Sequence, residues 1–229
     1  MLDRSGRVSG MLRKLLGFTL AEFLVTLTIN LILFTALITI FLYNINHYRK
    51  NLQVTRLNQQ LHTALMIMSN DIRRAGYWAY ASNDVGTGQN NNPFMSGGLD
   101  ISVNASNDCI LFAYDHNSDG ALPEVNSSVD DERYGFRLSG QAIQARPPGG
   151  GFACDSSGSS WENITDPNVI DITNLTFSLT TTTITTGPGV RGIAMRGVDV
   201  SVTGQLVNDS SITRTLTQHI RIRNDKFIP

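Results

Sequence analysis

The sequence predicts an α+β fold: one long N-terminal helix followed by an antiparallel, β-rich head. Three observations carry this. Residues 18–43 form an apolar run with a single charge, Glu22, and neither Pro nor Gly. Beyond it, apolar residues recur at three- and four-residue steps as far as about Arg74. From Cys109 onward, short alternating runs are separated by Gly, Asn, Asp and Pro, which is the pattern of strands and turns.

Taken in order, residues 1–17 are a basic leader. Arg4, Arg7, Arg13 and Lys14 stand against Asp3, a net charge of +3 ahead of the apolar run. At about 1.5 Å per residue that run is about 39 Å of helix, more than the roughly 30 Å of bilayer hydrocarbon. It is long enough to span a membrane once, and the basic flank predicts a cytoplasmic N-terminus with everything after Tyr43 translocated. The run is too long for an ordinary secretory signal, and no A-x-A-like cleavage site follows it. Thr26, Thr28, Thr35 and Thr39 are tolerable there because a Thr hydroxyl bonds the carbonyl one turn back. Glu22 is the costly residue, and a carboxylate in lipid marks a function and needs a partner.

Residues 44–76 continue the helix in amphipathic form. Ile45, Tyr48, Leu52, Leu57, Leu61, Leu65, Met68, Ile72 and Ala75 make one stripe, with Arg49, Lys50, Arg56, Asn58, Gln59, Asp71 and Arg73 between them. Gly76 is the expected stop. The Met66/Met68 pair reads as core filler. The head occupies 77–229. A loop rich in Asn, Gly and Ser runs from Ser82 to Gly98. Strands are expected at Cys109–Tyr114, Tyr134–Leu138 and Ala142–Ala145, the last two joined as a hairpin across Ser139-Gly140. A breaker follows at Pro147–Gly151, then strands at Val169–Ile172, Leu175–Thr185, Val198–Val207 and Ser211–Ile222. Tyr77, Trp78 and Tyr80 are expected to pack where helix meets head.

Net charge is −1 with 16% charged residues, which leaves no polybasic footprint and argues against nucleic acid as a main ligand. Cys109 and Cys154 both lie beyond the apolar helix. In an oxidising compartment such a pair forms a disulfide, closing a loop of about 45 residues and contributing roughly 4 kcal/mol in the chain-entropy model. The alternative is two buried free thiols.

Gly17-Phe18-Thr19-Leu20-Ala21-Glu22 resembles the processing motif of type IV pilins and type II secretion pseudopilins. The resemblance implies a pilin-like fold, cleavage after Gly17 by a prepilin peptidase, N-methylation of Phe18, and Glu22 as the glutamate at the fifth mature position. When such subunits stack, each N-terminus lies near a neighbour's glutamate. A buried carboxylate is favourable when it faces an ammonium and costly when alone, so Glu22 sets the stagger. Asp71-Ile-Arg-Arg-Ala-Gly-Tyr-Trp78, Tyr114-Asp-His-Asn-Ser-Asp-Gly120 running on to Tyr134–Gly140, and His219-Ile-Arg-Ile-Arg-Asn224 resemble stretches of the PilW family of minor pilins. Thr39 stands where many major pilins carry a mid-helix proline, and the cysteines are not a C-terminal pair.

The resemblance implies a low-copy subunit that joins other minor pilins in a priming complex at the filament tip, in support of motility, adhesion or DNA uptake. Its partners would be the prepilin peptidase, other minor and major pilins and the inner-membrane assembly machinery. It would sit in a bacterial inner membrane with its head in the periplasm, then in the pilus at the cell surface. The nearest alternative is a minor pseudopilin of a type II secretion system. A more distant one is a membrane-anchored periplasmic binding or hydrolytic head.

Asp115-His-Asn117-Ser-Asp119-Gly120 has the D-x-N-x-D-G spacing of a calcium loop, with oxygens at alternate positions converging on one ion. Position 12, where a bidentate Glu is expected, is Asn126; Glu124, Asp130 or Asp131 could substitute if the loop folds back. The plain reading is an Asx-rich turn. Calcium is therefore a candidate ligand and no cofactor is required. His47, His62, His116 and His219 show no paired metal spacing, and there is no G-x-S-x-G or phosphate loop, so no enzymatic activity is expected.

Overall fold

The computed structural model describes residues 17–84, 89–123, 130–155, 161–185 and 191–228. The basic leader, Glu124, Asn126 and Thr186 lie outside them. The chain divides into two compact units, Met1–Lys50 and Asn51–Pro229, and one helix, α1 (Leu20–Ile72), contributes to both. The arrangement is α+β and pilin-like, a long N-terminal helix with antiparallel sheets.

In the first unit α1 is exposed on every side, with Phe23, Ile32, Phe34, Leu37 and Phe41 all open. This is the one helix among the described residues long and apolar enough to cross a membrane. The hydroxyls of Thr26, Thr28, Thr35 and Thr39 donate to the carbonyls of Phe23, Val25, Ile32 and Ala36 at 2.8–2.9 Å. Four polar side chains are thereby satisfied within the helix, as hydrocarbon surroundings require.

In the second unit the apolar stripe of α1 is buried only from Leu57 onward, through Leu61, Ala64, Leu65, Met68 and Ile72. Tyr48 and Leu52, on the same period, are exposed. Met68 fills the core as expected, but Met66 faces out. The stripe packs on two sheets. The first is a five-stranded meander in the order β1 (Ser102–Val103), β2 (Cys109–Ala113), β3 (Arg133–Ser139), β4 (Ala142–Ala145) and β5 (Glu162–Asn163). The second holds β6 (Ile170–Thr185), β7 (Gly192–Leu206) and β8 (Asp209–Arg221), with β9 (Lys226–Ile228) pairing to β7.

The β3–β4 hairpin turns where expected, with Gly140 and Gln141 both at positive φ and Ser139 opposite Ala142; this is the type I′ geometry that matches strand twist. The two runs expected at 169–172 and 175–185 are one strand, β6, kept continuous by a register shift between Ile172 and Asn174. Such a bulge breaks the alternation that would have joined them. β7 begins before Val198, at Gly192. The Ser82–Gly98 loop contains 3-10 turns at Pro93–Met95 and Gly97–Leu99. One core joins Leu61, Met68 and Ile72 of α1 to Ile110, Phe112 and Phe136 of the first sheet and Phe177, Val200 and Ile220 of the second.

Cys109 and Cys154 form a disulfide with Cα atoms 6.0 Å apart. It ties buried β2 to the loop after β4, whose return path is also fixed by Arg137 donating to the Cys154 carbonyl at 2.8 Å.

Candidate functional site

At the N-terminal end, helix α1 starts with a reciprocal cap. The Thr19 amide and hydroxyl both donate to Glu22 Oε2 at 2.9 Å, and the Glu22 amide donates back to Thr19 Oγ1 at 3.3 Å. This is a T-x-x-E capping box, which the sequence carries and the reading of Glu22 as a lone charge passed over. The carboxylate is therefore held in a defined rotamer one turn from Gly17 and Phe18, both of which are exposed. The Glu22 carboxylate thereby satisfies the Thr19 amide and Thr19 Oγ1 the Glu22 amide, two orphan donors met reciprocally.

The C-terminal end of α1 is where the head's polar chemistry gathers. After Ile72 the helix tightens: the amides of Arg74 and Ala75 bond the carbonyls of Asp71 and Ile72, i→i+3 spacing common at helix ends. Gly76 then takes φ +72°, and a Cβ there would meet Met95 Cε at 2.4 Å, so glycine is demanded twice over. The next residues run straight into the first sheet. Gly76 N donates to Ala113 O at 2.8 Å, and Asp115 N donates to Tyr77 O at 2.9 Å. The Arg74 guanidinium lies 4.5 Å from the Tyr114 ring centre, and Tyr114 stacks on Tyr134 at 4.2 Å. Burial, first of all, pushes the Tyr114 phenol far above its ordinary range. From the other side Asn224 Nδ2 donates to the carbonyls of both Arg74 and Ala75 at 3.1 Å, and the Arg223 amide donates to Arg73 O. The three motifs at 71–78, 114–120 and 219–224, far apart in sequence, thus meet at one helix end.

Within this junction lies a carboxylate cluster. Asp115, Asp119 and Glu132 each offer an oxygen within 4.8 Å of the others. Asp115 and Glu132 are fully buried. Asp115 Oδ2 accepts from the Ala79 amide at 2.9 Å and the Gly120 amide at 3.1 Å. Glu132 Oε1 accepts from the His116 amide at 2.7 Å and the Asn117 amide at 3.3 Å. The remaining oxygens, Asp115 Oδ1 and Glu132 Oε2, are buried with no hydrogen-bond partner among the described residues. Burial pushes the Glu132 carboxyl above its ordinary value, and the charges of Asp115 and Asp119 push the same way against the two amides it accepts. Gly120 takes φ +73°, and a Cβ there would strike the Tyr80 ring at 2.1 Å. Its carbonyl accepts from Trp78 Nε1 at 3.0 Å, so the two aromatics close over the turn.

Of the residues expected to share a ligand loop, Asp115 and Asp119 converge, and Glu132 joins them. Asn117 turns its amide onto Asp119, with Nδ2 donating to Asp119 Oδ2 at 2.8 Å and Oδ1 accepting the Asp119 amide at 2.9 Å. Asp131 is engaged elsewhere, by Arg146 at 2.8 Å and Arg133 at 3.4 Å. Glu132 takes the place sought for Glu124, Asp130 or Asp131. The signal that leads to it is pairing: the Tyr114 amide bonds the Glu132 carbonyl at 3.1 Å, one step beyond the β2–β3 register, and carries Glu132 beside Asp115.

His219 and Asp199 pair at 2.7 Å across β7 and β8, but both are exposed, and no serine or threonine among the described residues hydrogen-bonds the other ring nitrogen.

A family model described as prepilin peptidase-dependent protein B matches residues 50–222. No curated protein and no solved structure matches the chain. The matched span contains the carboxylate cluster, the first sheet and β6–β8 of the second, and it excludes the Gly17–Glu22 motif. Head and processing motif therefore point to the same class of protein independently.

Proposed function

Because the chain belongs to the prepilin peptidase-dependent protein B family, and is a pilin-related protein, we propose that it is a minor pilin of the PilW kind that joins other minor pilins to prime type IV pilus assembly. The observation that carries this is the exposed apolar helix of residues 20–43 beginning in a motif with Gly17, Phe18 and Glu22 in order. Its apolar surface needs cover. Lipid supplies that before assembly, and the helices of neighbouring subunits supply it afterwards. Prepilin peptidase cleaves after Gly17, Phe18 becomes the methylated N-terminus, and the head faces the periplasm and then the filament surface. The role is structural rather than enzymatic.

Deleting the gene and counting surface pili by electron microscopy tests the reading. We expect at least a tenfold fall in pili per cell, restored by the wild-type gene. Normal piliation would overturn it, and normal piliation with failed protein export would assign the chain to a secretion system.

A further inference from the structure

We propose that Asp115, Asp119 and Glu132 bind a calcium ion that fastens the chain leaving α1 to the β2–β3 connection, a property independent of whether the subunit primes pili. Two fully buried carboxylates each have one oxygen fixed by two backbone amides and the other oxygen without a partner. An unpaired buried anionic oxygen is strongly unfavourable. Here there are two, on carboxylates that each offer an oxygen within 4.8 Å of the other and of the exposed Asp119. A divalent cation bound between them satisfies both. The amides on the far oxygens act as a supporting layer that holds the ligands in place.

The donor set is all oxygen, with no imidazole or thiolate in the cluster, and it suits a hard cation. Calcium accepts six to eight oxygens in irregular geometry at about 2.3–2.6 Å, whereas magnesium demands a near-ideal octahedron. One side of this cluster is closed by Asp115 and Glu132 and the other opens through Asp119 to solvent, where water completes a calcium shell. The site also explains the turn that carries it. Ala79 and Gly120 both donate to Asp115, and Trp78 donates to Gly120. The ion would thus bear on the same residues that anchor the 77–80 segment, and binding stiffens the junction.

The competing arrangement is a proton shared between Asp115 and Glu132. The two are separated by titrating the full-length chain, purified in detergent and stripped with EDTA, with calcium chloride and in parallel with magnesium chloride. Calorimetry should give a calcium Kd on the order of 0.1–1 mM, as in extracellular calcium modules, with magnesium at least tenfold weaker. At 10 mM calcium the head's melting temperature should rise by roughly 3–10 °C. Glu132→Gln should lose the calcium shift while melting in EDTA at or above the wild-type temperature, since a neutral amide relieves the buried charge. Asp119→Asn, at an exposed position, should weaken calcium at least fivefold with the EDTA melt unchanged. No heat and no melting shift up to 10 mM calcium would overturn the proposal in favour of the shared proton. So would a calcium shift that survives Glu132→Gln.

Discussion

Replacing Asp131 by alanine should destabilise the head by about 3–5 kcal/mol, the usual effect of stranding a buried charge. Asp131 and Arg146 are almost completely buried, at 0% and 1% side-chain exposure. The carboxylate is the centre of a closed set. Oδ2 accepts from Arg146 at 2.8 Å and the Gly149 amide at 2.7 Å, and Oδ1 accepts from the Arg133 amide at 3.1 Å. Burial alone would raise this carboxyl, but those amides and the Arg146 guanidinium hold it below its ordinary value. Arg146 also donates to the carbonyls of Arg133, Gly150 and Gly151, so the pair bolts the loop after β4 to the start of β3. The alanine variant should melt roughly 10 °C below wild type, and Asp131→Asn, which keeps an acceptor but no charge, should fall between. A melt of the purified chain by circular dichroism checks this, and an alanine variant within two degrees of wild type would refute it. Adding Arg146→Met should recover only part of the loss, because three carbonyls then lack their donor.

Glu22→Ala should leave the head's melting temperature unchanged and remove the subunit from filaments. The capping box sharpens this test. Glutamine can also serve as the fourth residue of such a box, so Glu22→Gln preserves the bonds to Thr19 and deletes only the charge. If the side chain serves the helix start alone, glutamine rescues incorporation. If the carboxylate meets a neighbour's N-terminal amine in a low-dielectric core, glutamine fails like alanine. We expect both variants to be at least tenfold depleted in sheared pili by immunoblot, at normal membrane levels. Wild-type incorporation of Glu22→Gln would reduce Glu22 to a capping residue.

The long helix was legible because its pattern is strong and uninterrupted, and the hairpin at 139–142 because its turn residues need positive φ. The place where α1 begins to be buried was not. The same apolar period runs from Ile45 to Ile72, and nothing in it distinguishes exposed Tyr48 and Leu52 from buried Leu57. Two-residue strands such as β1 and β5 fall below any periodic signal, so the edges of the first sheet were not legible. The acidic loop was legible from its spacing, but Glu132 belongs to it only through strand pairing. Asp131 shows the reverse limit: it was a candidate ligand by sequence, and a buried arginine 15 residues on, just past β3 and β4, claims it instead. The Thr19–Glu22 cap was written in four residues and overlooked beside the larger question of a charge in lipid.

Asn224 carries a consequence for how the molecule matures. Its side chain caps the carbonyls of Arg74 and Ala75, in the turn that ends α1, at sequence separations of 150 and 149. Contacts of such separation form late, after the loop-closure entropy between them has been overcome. The spine of the subunit thus has a kinetic seam: its final turn waits for the far end of the polypeptide. A nascent subunit stalled before Asn224 would present a frayed helix end to proteases, and only a full-length chain would pass as finished.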